Sequence, residues 1–313
     1  MALPRKPLAW PAIAVSISLV LGFALRLAAQ EDKPLRLDVK LVSLFVNVTD
    51  QMGAIVGGLT LDDFKITEDG RPQKIATFER QSEMPLNLTL AIDTSSSTYK
   101  DRYIEQQAAK KFVHALLRPQ DQMSAIEFDT FVTELTRGFT NREAEIDRGL
   151  DHMRGAGGTA LYDAIYLGSK SLGTKDGRKV LVLVTDGGDT VKGQTYDEAL
   201  EEALRNEVMI YSIIDVPIEA SAGRDLGGEH ALIQLSQDTG GKHFYVDAGG
   251  LDKAFAQVSA DLRTQYMIGY YPHNQEPGRP FHRIEVTVPR ASSESFNIRH
   301  KTGYYADAQK NRD

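Results

Sequence analysis

Cysteine is absent from the 313 residues of this chain, and tryptophan occurs once. Without thiols there is no disulfide, no thiol nucleophile and no zinc–thiolate centre, so packing and hydrogen bonding must hold the fold unaided. Any metal must then be bound by oxygen or by histidine. Positive charge is also short: 36 Lys and Arg stand against 43 Asp and Glu, a net charge of -7. No Lys/Arg run is interleaved with aromatics, which excludes a nucleic-acid-binding surface. The histidines, His114, His152, His230, His243, His273, His282 and His300, are dispersed without i,i+4 pairing and read as surface or packing residues rather than ligands. Long apolar runs are missing except at the front. There Arg5 and Lys6 precede an uncharged stretch at residues 7–25, Arg26 closes it, and Leu27-Ala28-Ala29-Gln30 leads into Glu31-Asp32-Lys33. A positive start, an apolar middle and a small-residue exit form a signal-peptide pattern over residues 1–29, with cleavage near Ala29. The alternative is an uncleaved membrane anchor formed by residues 7–25. The expected location is therefore outside the cytoplasm, periplasmic or extracellular, with membrane contact only through that anchor.

With 42% hydrophobic and 25% charged residues, the remainder has ordinary globular composition. Residues 35–84 read as β-structure: Leu37-Asp38-Val39-Lys40-Leu41-Val42 and Leu44-Phe45-Val46-Asn47-Val48 alternate at strand spacing, and turns follow at Asp50-Gln51-Met52-Gly53 and Glu68-Asp69-Gly70-Arg71-Pro72. Leu61-Asp62-Asp63-Phe64 reads as a short connecting turn. Residues 85–263 alternate short apolar strands (87–92, 122–128, 180–185, 208–214, 243–246) with amphipathic helices. One helical face is marked by Tyr103, Ala108, Phe112, Ala115 and Leu116, a second by Leu161, Ile165, Leu167 and Leu172, a third by Ala199, Ala203 and Leu204. That alternation predicts a mostly parallel central sheet with helices on both faces, and the unbroken run Val180-Leu181-Val182-Leu183-Val184 a strand buried on both sides. Residues 264–306 return to β-structure, with strands at 265–271 and 283–288. Neither flank can cover its own apolar face, so the two are expected to pair into a small β-sandwich into which the α/β domain is inserted. The alternative is two separate β-appendages on the α/β core; the charged residues 307–313 are left as a tail. Tyr266, Tyr270, Tyr271 and Phe281 are assigned to the sandwich core. The sequons at Asn47 and Asn87 fall in predicted strands and are discounted.

Ligands of open parallel sheets bind beyond the carboxyl ends of the strands. Three polar clusters stand at such ends: Asp93-Thr94-Ser95-Ser96-Ser97, Gly157-Gly158-Thr159-Ala160 and Thr185-Asp186-Gly187-Gly188-Asp189. Oxygen side chains at Asp93, Ser95 and Ser97, spaced two apart in a turn leaving a strand, can converge on one point. Thr159 adds a hydroxyl and Asp186 a second carboxylate. Hard oxygen donors without nearby Cys or His suit Mg²⁺ first, then Mn²⁺ or Ca²⁺, and leave positions for water that an incoming carboxylate can replace. The plainer reading of Asp93 to Ser97 is a helix-capping turn. No Gly-Lys-Ser/Thr follows Gly157-Gly158, which removes a phosphate loop, and Ser95 to Ser97 lack the Gly-x-Ser-x-Gly or Ser-x-x-Lys setting of a hydrolase nucleophile. Asp189 is read as a solvated loop acid.

In order, separation and strand context, Asp93-x-Ser95-x-Ser97, Gly158-Thr159 and Thr185-Asp186-Gly187 resemble the metal-ion-dependent adhesion site (MIDAS) of von Willebrand factor type A domains. The resemblance implies a Rossmann-like fold. It also implies a metal held by Ser95, Ser97 and Thr159 directly or nearly so, and by Asp93 and Asp186 often through water. Ser96 replaces the usual glycine. The flanks, Leu61-Asp62-Asp63-Phe64 with Glu68-Asp69-Gly70 and Gln265-Tyr266-x-Ile268-Gly269-Tyr270-Tyr271-Pro272, are similar to secreted bacterial VWFA-related proteins. The function implied is an exported, non-enzymatic binding module whose divalent cation bridges to an acidic residue on a protein partner. The competing expectations are a metal-dependent phosphoesterase-type hydrolase, for which no base or second metal stands out, and a structural subunit of an envelope assembly.

Overall fold

The computed structural model describes residues 41–80, 84–215, 225–246, 250–273, 279–289 and 296–306; the expected leader, the strand start at residues 37–40 and the tail lie outside them. No helix among the described residues is long and apolar enough to cross a membrane. In chain order come β1 (Val42–Thr49), β2 (Lys65–Glu68), β3 (Arg71–Gln73), β4 (Ile75–Arg80), β5 (Leu86–Asp93), α1 (Arg102–Leu116), β6 (Gln122–Phe128), β7 (Val132–Glu134), α2 (Glu143–Leu150) and α3 (Leu161–Leu172). There follow β8 (Arg178–Thr185), α4 (Tyr196–Arg205), β9 (Val208–Asp215), α5 (Leu226–Asp238), β10 (His243–Val246), α6 (Leu251–Arg263), β11 (Tyr266–Tyr270), β12 (Phe281–Thr287), β13 (Asn297–Arg299) and β14 (Gly303–Tyr305).

A six-stranded sheet of order β10-β9-β8-β5-β6-β7 forms the centre, parallel except for the edge strand β7. β5 is its middle strand and is buried at all eight positions, which is why Leu-Asn-Leu-Thr-Leu-Ala-Ile carries no outward charge. α1, α2 and α6 cover one face around Leu88, Leu90 and Ile92, with Phe112 of α1 stacked on Phe255 of α6 at 4.6 Å between centroids. α3, α4 and α5 cover the other around Ala91, Leu181 and Leu183. Truncating any of these buried leucines to alanine costs about 2–5 kcal/mol.

Two of the three expected helix faces are buried at most of their predicted positions but include residues that lie off the stripe. α1 buries Glu105, Ala108, Ala109, Phe112, Val113 and Leu116, whereas Tyr103 and Ala115 are exposed. The true stripe follows i, i+3, i+4, i+7, i+8, i+11, and Tyr103 lies off it. α3 buries Leu161, Ala164, Ile165, Gly168, Ser169 and Leu172, and leaves Leu167 exposed. The third face, Ala199, Ala203 and Leu204, is buried in α4.

The flanking strands pair with one another across the length of the chain. β1 runs antiparallel to β11, with Leu44 opposite Ile268 and Val46 opposite Tyr266, in a sheet of order β13-β1-β11-β4. β12 pairs with β2 in a second antiparallel sheet, β14-β12-β2-β3. Val42, Leu44 and Val46 from the first sheet and Ile66, Ile284 and Val286 from the second share one apolar cluster. Tyr266 and Tyr270 lie in it, but Tyr271 is exposed at 47% because it follows the last residue of β11. Asn47 and Asn87 are both buried in their strands.

The last helix is fastened to the flank by a buried polar junction. Asp261 of α6 accepts both hydrogen bonds of the Arg299 Nη2 group, at 2.8 and 2.6 Å, and one from the Tyr211 hydroxyl at 2.9 Å. Asn47 Nδ2 donates to the Asp261 carbonyl at 3.1 Å, and Gln265 Nε2 to Asn47 Oδ1 at 2.9 Å. Breaking such a pair from one side strands a buried charge. Arg299→Met is expected to lower unfolding free energy by about 3 kcal/mol in urea melts, with much of the loss recovered when Asp261→Asn is added; a loss of under about 0.5 kcal/mol would show that the junction is not what holds α6.

Candidate metal centre

β5 is the strand at which the chain changes direction across the sheet: β6 lies on one side of it and β8 on the other. Loops leaving neighbouring strands in opposite senses open a crevice at such a point. Asp93 ends β5 and is fully buried there, at 0% exposure. Burial pushes its carboxyl up to about 6, hydrogen bonds from Thr185 and Ser95 pull the other way, and the charge of Asp186 adds to the rise. Both oxygens are engaged. Thr185 Oγ1 donates to Oδ2 at 2.6 Å, and the Ser95 backbone N–H donates to Oδ1 at 2.9 Å.

The turn after Asp93 is closed by Thr98, whose hydroxyl donates to the Asp93 carbonyl at 3.0 Å. This folding back brings Ser95 Oγ to 3.0 Å from Ser97 Oγ. Ser97 also hydrogen-bonds the Asp186 carboxylate, which burial pushes upward with a further contribution from Asp101. Asp93, Ser95, Ser97 and Asp186 are thus connected side chain to side chain or through one backbone N–H. Thr159 reaches the same rim through its loop: Ser96 N–H donates to the Gly157 carbonyl at 3.2 Å, and Gly157 N–H to Ser96 Oγ at 2.9 Å. Gly157 has φ 114°, and a Cβ there would stand 2.5 Å from Thr130 Oγ1, so this docking needs glycine. Thr159 itself is 6% exposed and fixed by its N–H to Thr190 Oγ1 at 2.7 Å. Among the described residues no hydrogen bond links its hydroxyl to the other four side chains.

The donor set fits a small hard cation. Adjacent oxygens around an octahedral Mg²⁺ at 2.0–2.1 Å stand about 2.9 Å apart, close to the 3.0 Å between the two serine hydroxyls. A buried carboxylate, Asp93, and a half-buried one, Asp186, each shifted upward by desolvation, supply the negative charge such an ion neutralises. The residues that would hold it are Ser95, Ser97, Thr159, Asp93 and Asp186.

Several contributors were not singled out from sequence. Thr185 was read as part of a strand end, yet it orients Asp93. Arg102 Nη2 donates to the carbonyls of Thr94 at 2.9 Å and Gly155 at 2.7 Å, tying two of the three loops together. Asp189 is not a solvated loop acid: its Oδ1 accepts from Tyr162 N–H at 3.2 Å, binding the first turn of α3. Glu105 sits on the buried stripe of α1 at 2% exposure. Burial, and then the charges of Asp215, Asp93, Asp101 and Asp186, push its carboxyl up to about 9. Its signal in the sequence was its position three residues before Ala108 on the apolar stripe.

A carboxyl that stays protonated in the folded chain up to about 9, and ionises near 4.5 when unfolded, removes stability as pH rises between those values. Glu105→Gln is expected to stabilise the metal-free protein at pH 8 by on the order of 2 kcal/mol and to flatten the fall in urea midpoint between pH 5 and 9. An unchanged pH profile would place Glu105 in a solvated setting.

A family model described as von Willebrand factor type A domain matches residues 88–188. The human inter-alpha-trypsin inhibitor heavy chain H2 is 25% identical over 210 residues, covering 61% of this chain and 21% of that protein. The pig protein of the same name is 24% identical over 212 residues, covering 61% of this chain and 22% of its own length. The chain thus spans about a fifth of the length of the curated relatives it matches. Among solved structures, a von Willebrand factor type A protein from Catenulispora acidiphila superposes with a TM-score of 0.51 at 10% identity, covering 87% of this chain and 76% of that one. At that identity the likeness is one of fold. From β5 to the loop after β8, this chain carries a von Willebrand factor type A domain.

Proposed function

We propose that residues 85–263 form a metal-ion-dependent binding module of the adhesion type, carried by an exported protein and supported by a β-sandwich built from residues 35–84 and 264–306. Ser95, Ser97, Thr159, Asp93 and Asp186 hold one divalent cation, Mg²⁺ in preference to Mn²⁺ or Ca²⁺. When bound, the ion neutralises the two carboxylates and offers a coordination position to an acidic residue of a protein partner. The role is binding, not turnover.

The observation that carries this reading is the 3.0 Å spacing of the Ser95 and Ser97 hydroxyls beside two carboxylates held upward by burial. The chain's own residues do the positioning. Thr185 and the Ser95 N–H fix the plane of the Asp93 carboxylate, and Ser97 aims Asp186. Around this polar centre, Tyr99 is 69% exposed two residues beyond Ser97. Phe131, 74% exposed, follows Thr130, whose hydroxyl accepts from Gly158 N–H at 3.1 Å. Exposed aromatics beside a charge-reading centre suit a protein surface better than a small anion.

The test is paired calorimetry and capture. Wild type is expected to take up one equivalent of Mg²⁺, Asp93→Ala none, and Thr185→Val one equivalent about 10–100-fold more weakly. Capture of a partner from envelope extract should be lost both with EDTA and with Asp93→Ala. Equal Mg²⁺ uptake by wild type and Asp93→Ala, or capture that survives both treatments, contradicts the reading.

A further inference from the structure

His282, which sequence alone assigned to surface or packing, is buried at 1% exposure on β12 and faces two carboxylates. Its Nδ1 stands 2.8 Å from Asp69 Oδ2 and 3.8 Å from Glu68 Oε1. Glu68 ends β2 and is itself 3% exposed. In extended backbone, neighbouring side chains point to opposite faces. Asp69 adopts φ 50° in the turn and so brings its carboxylate back to the side of Glu68. The three ligand-type atoms lie within 4.8 Å of one another.

The hydrogen bonds leave one oxygen of this cluster unserved. Tyr270 and Tyr304 both donate to Glu68 Oε2, at 2.7 and 3.1 Å. Asp69 Oδ1 accepts from Arg283 N–H at 3.0 Å and stands 3.4 Å from Arg279 Nη1. A proton on His282 Nδ1 can serve only Asp69 Oδ2, because 3.8 Å to Glu68 Oε1 is beyond hydrogen-bond range. Glu68 Oε1 therefore accepts no hydrogen bond among the described residues, although its carboxylate is buried. A carboxylate oxygen that accepts no hydrogen bond and is turned toward an imidazole nitrogen and a second carboxylate is placed to meet a positive charge between them.

The geometry points to a second cation site, separate from the one at Asp93, in which Glu68 Oε1, Asp69 Oδ2 and His282 Nδ1 bind a divalent ion of the zinc class. Ligands held at about 2.0–2.2 Å from one ion stand roughly 3–4 Å apart, which the observed 2.8 and 3.8 Å bracket. One imidazole and two carboxylates suit Zn²⁺ over Mg²⁺ or Ca²⁺. With the ring as its Nε2–H tautomer, Nδ1 offers a lone pair. The tyrosines act as outer partners: by holding Oε2 they aim Oε1 inward. Tyr270 comes from β11 in the other flank sheet, so an ion here ties β2 and β12 to that sheet. It is a non-covalent clasp in a chain without cysteine.

The test loads the full-length chain carrying Asp93→Ala with one equivalent of Co²⁺ or Zn²⁺. Visible d–d absorption of the cobalt form is expected, with imidazole in the first shell of the zinc X-ray absorption spectrum. Glu68→Gln in the same background should weaken uptake at least tenfold. The rim donors at Asp93 include no histidine, so the imidazole signature in unaltered protein assigns the site even if Asp93→Ala folds poorly. An all-oxygen zinc shell overturns the site. So does an imidazole signature that persists in His282→Gln, or uptake indifferent to Glu68→Gln. None of these three results touches the Mg²⁺ centre, whose own calorimetry is read on Asp93.

Discussion

A carboxylate with no exposed surface, at the end of the most buried strand in the sheet, is the constraint around which this protein is organised. Asp93 cannot rest there uncompensated. The loops after β5 and β8 answer it with a backbone N–H and a threonine hydroxyl, and the same loops bring Ser95, Ser97 and Asp186 alongside. The loop bearing Thr159 is docked onto Ser96 by two hydrogen bonds and braced by Arg102. Because β5 is pinned by β6 and β8 on its edges and by helices on both faces, this rim is set by the core and not by the loops alone.

Removing the charge of a bound cation from this picture leaves an accumulation of acid. Asp93, Asp186 and Glu105 are all driven toward their protonated forms, and burial is the first cause in each case. Such an arrangement is costly as a purely structural device, since apolar residues would pack the same space without the penalty. It makes sense as a site that a cation completes. The flank sheets show a related economy: polar groups are buried at the Arg299–Asp261 junction and around Glu68, and each carries a connection between elements far apart in sequence.

What could be read from the sequence followed the locality of the signal. β6 was legible to the residue, and β8 as an unbroken apolar run, because strand burial on both faces writes itself into consecutive residues. The edge strand β10 was legible to the residue as well, although it buries only Phe244 and Val246. α4 was legible from its alanine stripe. α2 was not, since eight residues with Ile146, Gly149 and Leu150 as the buried set carry too little periodicity. α5 was hidden by Gly227 and Gly228 in its first turn. α6 was legible and passed over: Leu251, Ala254, Phe255, Val258 and Leu262 repeat at helical spacing. At the site, the spacing of Asp93, Ser95 and Ser97 was a local signal. The roles of Thr185 and Arg102 were not, because a donor's target lies on another strand or loop. The same holds for His282, whose carboxylate neighbours are more than two hundred residues away along the chain.

The most direct measurement is an anomalous difference map from crystals of the unaltered protein soaked in Mn²⁺. A peak is expected at the rim of the central sheet, enclosed by the hydroxyls of Ser95, Ser97 and Thr159 and within reach, directly or through one water, of Asp93 and Asp186. Crystals that diffract well after the soak and show no peak between those carboxylates would contradict the metal-centred account.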